Sequence, residues 1–179
     1  MIEMYRRDLK AIFDFCRNNI RKDGDREALK FINLKFKGSS CVATSCDGYR
    51  IHQLTVQAES DIEELNIPII KIPPFKKNEK VQIDCTDKDV TFDFADIKMT
   101  VKRCVAEYIE VDKIIPQTEV KGTVYVNAQF LMEACKSLNS GVRSYVKIEL
   151  RENPQPLMVY GENDNFALVL PCRCGGESK

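Results

Sequence analysis

The feature that most constrains this chain is a repeated order of elements. Three stretches, about 60 residues apart, read as β(α)βββ by pattern rather than by identity. In the first, "IEMYR" is an opening strand. Residues 8–20, "DLKAIFDFCRNNI", then place Leu9, Ile12, Phe13, Cys16 and Ile20 at helical spacing, with Asp8 as the expected cap. "KDGDRE" ends that helix, and "FINLKF", "CVAT" and "YRIHQLTV" alternate as strands around an aspartate–glycine turn. In the second, "IPIIKIP" is expected as a strand and runs through "PFKKNEK" to "VQIDC", "VTFDF" and "IKMTVKRC", with too few residues between for a helix. The second copy therefore resembles the first with its helix deleted.

"EYIEVDKIIPQTE" reads as a linker into the third copy. There "TVYVN" is a strand and "AQFLMEACKSL" a helix, capped by Asn127, with Phe130, Leu131, Ala134 and Leu138 on one face. "YVKIELR", "PLMVYGE" and "FALVLPC" complete it. The fold class is α+β: βαβββ units, antiparallel sheets and two helices. Residues 1–119 form one domain of two units and 120–179 half of a second. A single helix over a four-stranded sheet buries only part of its apolar surface, so such units pair. The first two pair within the chain. The third has no internal mate and docks on that pair or on another chain, which predicts a homo-oligomer.

Composition excludes several function classes. The 27 basic and 27 acidic residues balance, so nucleic-acid contact would need a local basic stripe rather than bulk charge. No apolar run approaches the ~20 residues of a membrane span, so no membrane role is expected. "MIEMYRRDLK" lacks an apolar signal core, which predicts a cytoplasmic protein. Eight cysteines (16, 41, 46, 85, 104, 135, 172, 174) include no CxxC pair and stand beside a single histidine, His52. Reduced thiols are the expectation, with no metal and no cofactor. "CRC" at 172–174 with Cys41 or Cys46 is the one grouping of interest. No nucleophile–base–orienter set surrounds His52, and no phosphate-cradling glycine loop occurs, so no catalytic residue is assigned and no enzyme is expected. Tyr49, Arg50 and Ile51 read on pattern alone as an ordinary hairpin strand or as a binding surface.

The run "LKFINLKFKGSSCVATSCDGYRIHQLTV" resembles the middle domain of the bacterial DNA polymerase III β subunit, the sliding clamp, with its "ATDGHRL"-like turn. "EYIEVDKIIP" is similar to that family's "PDYRRVLP"-type junction. "FLMEACKSLNSG…YVKIEL…PLMVYGENDNFALVLPCR" resembles the second half of its last domain, including the closing "VMPMR"-like peptide. The resemblance covers nearly the whole chain, as a clamp without its first domain and half of its last. It implies a non-enzymatic processivity protein with a hydrophobic groove for short peptides of polymerases, clamp loaders and repair proteins. The matching positions are Phe31, Thr44, Gly48, Tyr49, Arg50, Ile51, Val169, Leu170, Pro171, Cys172 and Arg173.

The resemblance also implies helices that present Lys10, Arg17, Arg21, Lys136 and Arg143 to the phosphates of double-stranded DNA, weakly and without sequence preference. Three departures stand out. Ser45 and Cys46 read as an insertion before Asp47, leaving Thr44 or Cys46 for the family's threonine. Ala106 replaces a junction proline. Cys172 replaces a flexible methionine. An alternative reading is an adaptor or decoy that keeps the groove and encircles nothing.

Overall fold

The computed structural model describes residues 1–21, 23–120, 122–139, 145–151, 155–161 and 165–172. It divides into two compact bodies, Met1–Ile114 and Ile115–Lys179.

The first body holds two antiparallel sheets. Strand β1 (Ile2–Tyr5) leads into helix α1 (Arg6–Cys16), followed by β2 (Ile32–Lys37), β3 (Ser40–Cys46) and β4 (Ile51–Gln57). After the short β5 (Glu59–Ser60) come β6 (Glu64–Ile67), β7 (Lys80–Cys85), β8 (Asp89–Asp93) and β9 (Lys98–Lys102). One sheet runs β4-β3-β2-β6 and the other β5-β1-β7-β8-β9. Alternation along the strands sends Ile32, Leu34, Cys41 and Ala43 from one sheet, and Ile2, Met4, Val81 and Ile83 from the other, into one core.

Helix α1 closes that core with Leu9, Ile12, Phe13 and Cys16; Ile20, the last residue of the expected stripe, packs on the core from extended backbone beyond the helix. Its start differs from the sequence reading. The cap position is Tyr5, which makes no side-chain cap bond, and Asp8 lies in the first turn, where its charge favours the helix N-terminus. The first turn is instead fixed by Arg6, 4% exposed. Its guanidinium meets Glu79 at 3.0 Å and Asp96 at 3.5 Å. It also donates to the carbonyls of Lys80 and Phe94 and lies over the Phe94 ring. The helix stops at Cys16, and a 3-10 turn carries the chain to Asn19.

No helix precedes β7, as the repeat predicts. The expected strand at 67–73 is displaced, however: β6 ends at Ile67. Pro68, Pro73 and Pro74 cannot donate to a ladder, and 68–75 form no regular element. Ile69, Ile70 and Ile72 still pack on the core. The first half of the expected linker is also structured. Tyr108 and Val111 are buried, and Val111–Lys113 form a 3-10 turn.

The second body is one sheet, β10 (Lys147–Glu149), β11 (Leu157–Tyr160) and β12 (Phe166–Val169), in that order, with helix α2 (Ala128–Leu138). Asn127 caps α2 as expected, its Oδ1 accepting from the amides of Gln129 (2.9 Å) and Phe130 (3.4 Å). Leu131, Ala134 and Leu138 pack on Leu157, Val159 and Val169. Phe130 does not join them and is 59% exposed, since it sits about 100° round the helix from Leu131. The expected strand 123–127 appears as a single bridge, Val126 to Pro171.

Cys16, Cys41, Cys46 and Cys104 are buried free thiols that pack as small hydrophobes. Burial raises the thiol pKa of Cys16 and pushes that of Cys41 up to about 12.

Truncating Arg6 removes bonds to two carbonyls and leaves those acceptors on the wall of the core. Arg6→Ala is expected to cost about 2–3 kcal/mol in urea unfolding, with Arg6→Lys recovering only part, because an ammonium cannot span all four partners.

Candidate functional site

The aspartate–glycine turn between β3 and β4 is held from both sides. Gly48 has φ +95°, a conformation glycine takes without a Cβ penalty. Asp47 Oδ1 accepts from the amides of Tyr49 (3.0 Å) and Arg50 (2.9 Å), and its Oδ2 accepts from Arg50 Nε (3.0 Å) and Nη2 (2.6 Å). Arg50 Nη2 also donates to the carbonyl of Asn18 (3.1 Å). From beneath, Asn19 Nδ2 donates to the carbonyls of Ser45 (2.9 Å) and Arg50 (3.1 Å). The end of α1 and the turn are thereby one unit.

The result is a braced turn with Tyr49 standing out of it, 96% exposed. Tyr49 and Arg50 belong to the turn and not to β4, which starts at Ile51. The Arg50 guanidinium is already engaged by Asp47. That hydrogen bond, with help from the Tyr49 amide, holds the Asp47 carboxyl at about 2, below the ordinary aspartate range.

Behind the turn lies a small satellite core of Ala28, Leu29, Cys46 and Tyr108, with Ile51, Ala106 and Ile109 against it. Thr44 is buried, and Gln53 donates to its hydroxyl at 3.2 Å. Tyr108 Oη donates to the Thr44 carbonyl at 3.4 Å, and burial pushes its phenol pKa up. Of the six expected groove residues in this body, Gly48, Tyr49 and Arg50 are exposed, Phe31 and Ile51 half-buried and Thr44 enclosed.

The other expected groove residues lie in the second body. Val169 is buried under α2, Leu170 is 67% exposed, Pro171 is half-buried in its bridge to Val126, and Cys172 is exposed. Arg173 lies outside the described residues.

The expected cationic stripe is weaker than its residue count. Lys10 and Arg17 both pair with Asp14, the latter at 3.4 Å, so three charges sum to one. Arg21 lies beyond the helix, donating to the Asp23 carbonyl at 2.7 Å. Lys136 is exposed in the last turn of α2, and Arg143 lies outside the described residues. Beside Lys10 and Arg17, the segment 70–75 leaves a groove of about 510 Å³, floored by Phe13 and walled by Ile72, Pro74 and Phe75. No group of three or more His, Cys, Asp or Glu among the described residues is placed to hold a metal ion.

Sequence reasoning missed the braces and the satellite core. Asn19 was the available signal: a carboxamide three residues after Cys16, on the apolar side of the helical pattern, needs buried partners. Tyr108 had none, because its element reads as polar linker.

The family model described as "DNA polymerase III beta subunit, N-terminal domain" matches residues 75–171, more than half of the chain. No curated protein sequence gave a match. Among solved structures, the DNA polymerase sliding clamp from Bacillus subtilis superposes with TM-score 0.77 at 17% identity, covering 95% of this chain and 48% of that one. The β subunit from Thermotoga maritima gives 0.76 at 16%, covering 95% and 50%. The sliding clamp from Pseudomonas aeruginosa gives 0.75 at 14%, covering 95% and 51%. At these identities the likeness is one of fold, and the chain spans about half the length of those proteins.

The depressed Asp47 carboxyl fixes the sign of a pH effect. Its contribution to stability is complete above the ordinary aspartate range and is lost as pH falls from there to about 2. Amide exchange at Tyr49 and Arg50 is expected to accelerate on the acid side beyond its intrinsic pH trend. In Asp47→Ala those amides should exchange fast at every pH.

Proposed function

We propose, because the chain belongs to the DNA polymerase III β subunit family, that it is a non-enzymatic, clamp-like DNA replication factor that binds short peptide motifs. The partners in this reading are a DNA polymerase and other proteins with clamp-binding peptides, with double-stranded DNA contacted weakly through phosphates. The order of the motifs supports residues 1–119 as middle-domain-like and 120–179 as half of a last domain, while the matched family span, 75–171, runs across both.

One observation carries the peptide reading. The positions that match the family's groove include two large apolar side chains left in water, Tyr49 and Leu170. Aromatic and aliphatic anchors of this kind supply most of the energy when a short peptide docks. The turn that carries Tyr49 is already ordered, so binding there costs little conformational entropy.

A second reading, an adaptor or decoy that does not encircle DNA, is favoured by the neutralised stripe. Asp14 cancels one of the two charges of Lys10 and Arg17, and the prolines at 68, 73 and 74 stand where another helix would bring more.

Fluorescence anisotropy of a labelled glutamine–leucine–phenylalanine type peptide is expected to show saturable binding. Leu170→Glu and Tyr49→Ala should each weaken it by roughly tenfold or more. No binding by a folded protein would remove the peptide reading. Retention on nicked circular DNA in the presence of a loader separates the two readings, since a decoy is not retained.

A further inference from the structure

The two halves of the first body exchange strands, and the exchange marks the place of a helix that is absent. Strand β1 precedes α1 and β2–β4 in the chain, yet it lies between β5 and β7 in the other sheet. Strand β6 precedes β7–β9, yet it pairs with β2. Each half thus lends its first strand to its neighbour's sheet, and the chain crosses between the sheets after each loan. The crossing from β1 to β2 carries α1. The crossing from β6 to β7 is the segment 68–79, which Pro68, Pro73 and Pro74 keep from forming a helix.

The two crossings cover one core unequally. Leu9, Ile12, Phe13 and Cys16 of α1 are at most 2% exposed, whereas Ile69, Ile70, Ile72 and Phe75 are only half-buried. Between the crossings runs the groove of about 510 Å³, with Phe13 as its floor and Ile72, Pro74 and Phe75 along its wall. Its rim is cationic. Lys10, Arg17 and Lys71 line it with Asp14, three positive charges to one negative. Lys76 and Lys77 follow, exposed, and among the described residues neither they nor Lys71 form an ion pair.

We propose that this groove seats a short amphipathic helix of a partner protein, apolar on the face it buries and acidic along its flanks. The partner helix takes the seat beside α1 that the second crossing does not fill. The cavity has room for the roughly three apolar anchors, at i, i+3 or i+4 and i+7, that such a helix lays into a groove. Acidic flanks complement the net positive rim, which repels a basic helix. Duplex DNA answers the charge but not the cavity: it presents phosphates and brings no side chain to fill a pocket of Phe, Ile and Pro. The groove shares no residue with the positions matched to the family's peptide groove, so the inference does not depend on the peptide reading.

The chain contains no tryptophan, so an indole on the partner helix is the only one in solution. The test titrates the full chain into a panel of hydrocarbon-stapled helices of about three turns. Trp and Leu are permuted over their apolar positions, and Glu occupies the flanks. A saturable blue shift of the indole emission is expected, weakened by salt and absent from a matched panel with Lys flanks. Lys71→Glu and Pro74→Glu, both at exposed positions, should each weaken binding by roughly tenfold, while Leu170→Glu leaves it unchanged. On the wild-type chain, amides of Ile70, Ile72 and Phe75 should gain exchange protection, a readout independent of how any variant folds. No shift from the whole acidic panel overturns the proposal. So does a shift that survives both substitutions. Loss of duplex-DNA affinity in those two variants, with no helix bound by the wild type, overturns it in favour of a DNA surface.

Discussion

A core shared by two sheets has to be sealed from water, and in the first body a single helix does most of the sealing. Helix α1 contributes Leu9, Ile12, Phe13 and Cys16, while the segment after β6 contributes isoleucines 69, 70 and 72 from an irregular backbone. The two closures are unequal. A helix satisfies its own backbone groups wherever it packs, whereas an irregular segment with three prolines must leave carbonyls toward solvent. The open groove between Phe13 and Phe75 is the visible result. Arg6 sits where helix and second sheet meet. Its fixed guanidinium geometry matches two carboxylates and two carbonyls at once, keying the helix start to one orientation.

The same economy shapes the surface chemistry. With one helix instead of two, the face that presents charge is narrow, and Asp14 is placed within reach of both Lys10 and Arg17. The hairpin turn is the contrasting case. Asp47, Arg50, Asn18 and Asn19 spend their hydrogen bonds on one another and on the backbone, and this leaves Tyr49 as the side chain the turn presents to solvent. Arg50, which the motif marks as a contact, acts first as an internal brace; a bound peptide would meet only the donors that Asp47 and Asn18 do not occupy.

Much of this was legible in the sequence because periodicity reports which face of an element is apolar. The missing helix, the stripe of α1 and the Asn127 cap all follow from local pattern. Which sheet a strand joins does not. "IEMY" alternates in the same way whether its neighbour is β2 or β7, and only long-range pairing decides. Tyr108 was hidden for a related reason: one aromatic among charged residues looks like a linker until a distant surface closes over it. At the site, the Asp–Gly turn was readable from its dipeptide, but its bracing depends on carbonyls of residues 18, 45 and 50 that no side-chain pattern encodes.

The exchange of first strands also sets an order of assembly. Residue 2 opposes residue 83, and residue 5 opposes residue 80, so β1, made before the rest of this body, lacks its long ladder until most of the first body has been made. Until then the apolar side of α1 faces only half of its eventual walls. Contacts this distant in sequence slow folding, because the loop between them must be closed before they can form. A nascent chain of this design is therefore vulnerable during synthesis, when Ile2 and Met4 are exposed and their partners do not yet exist.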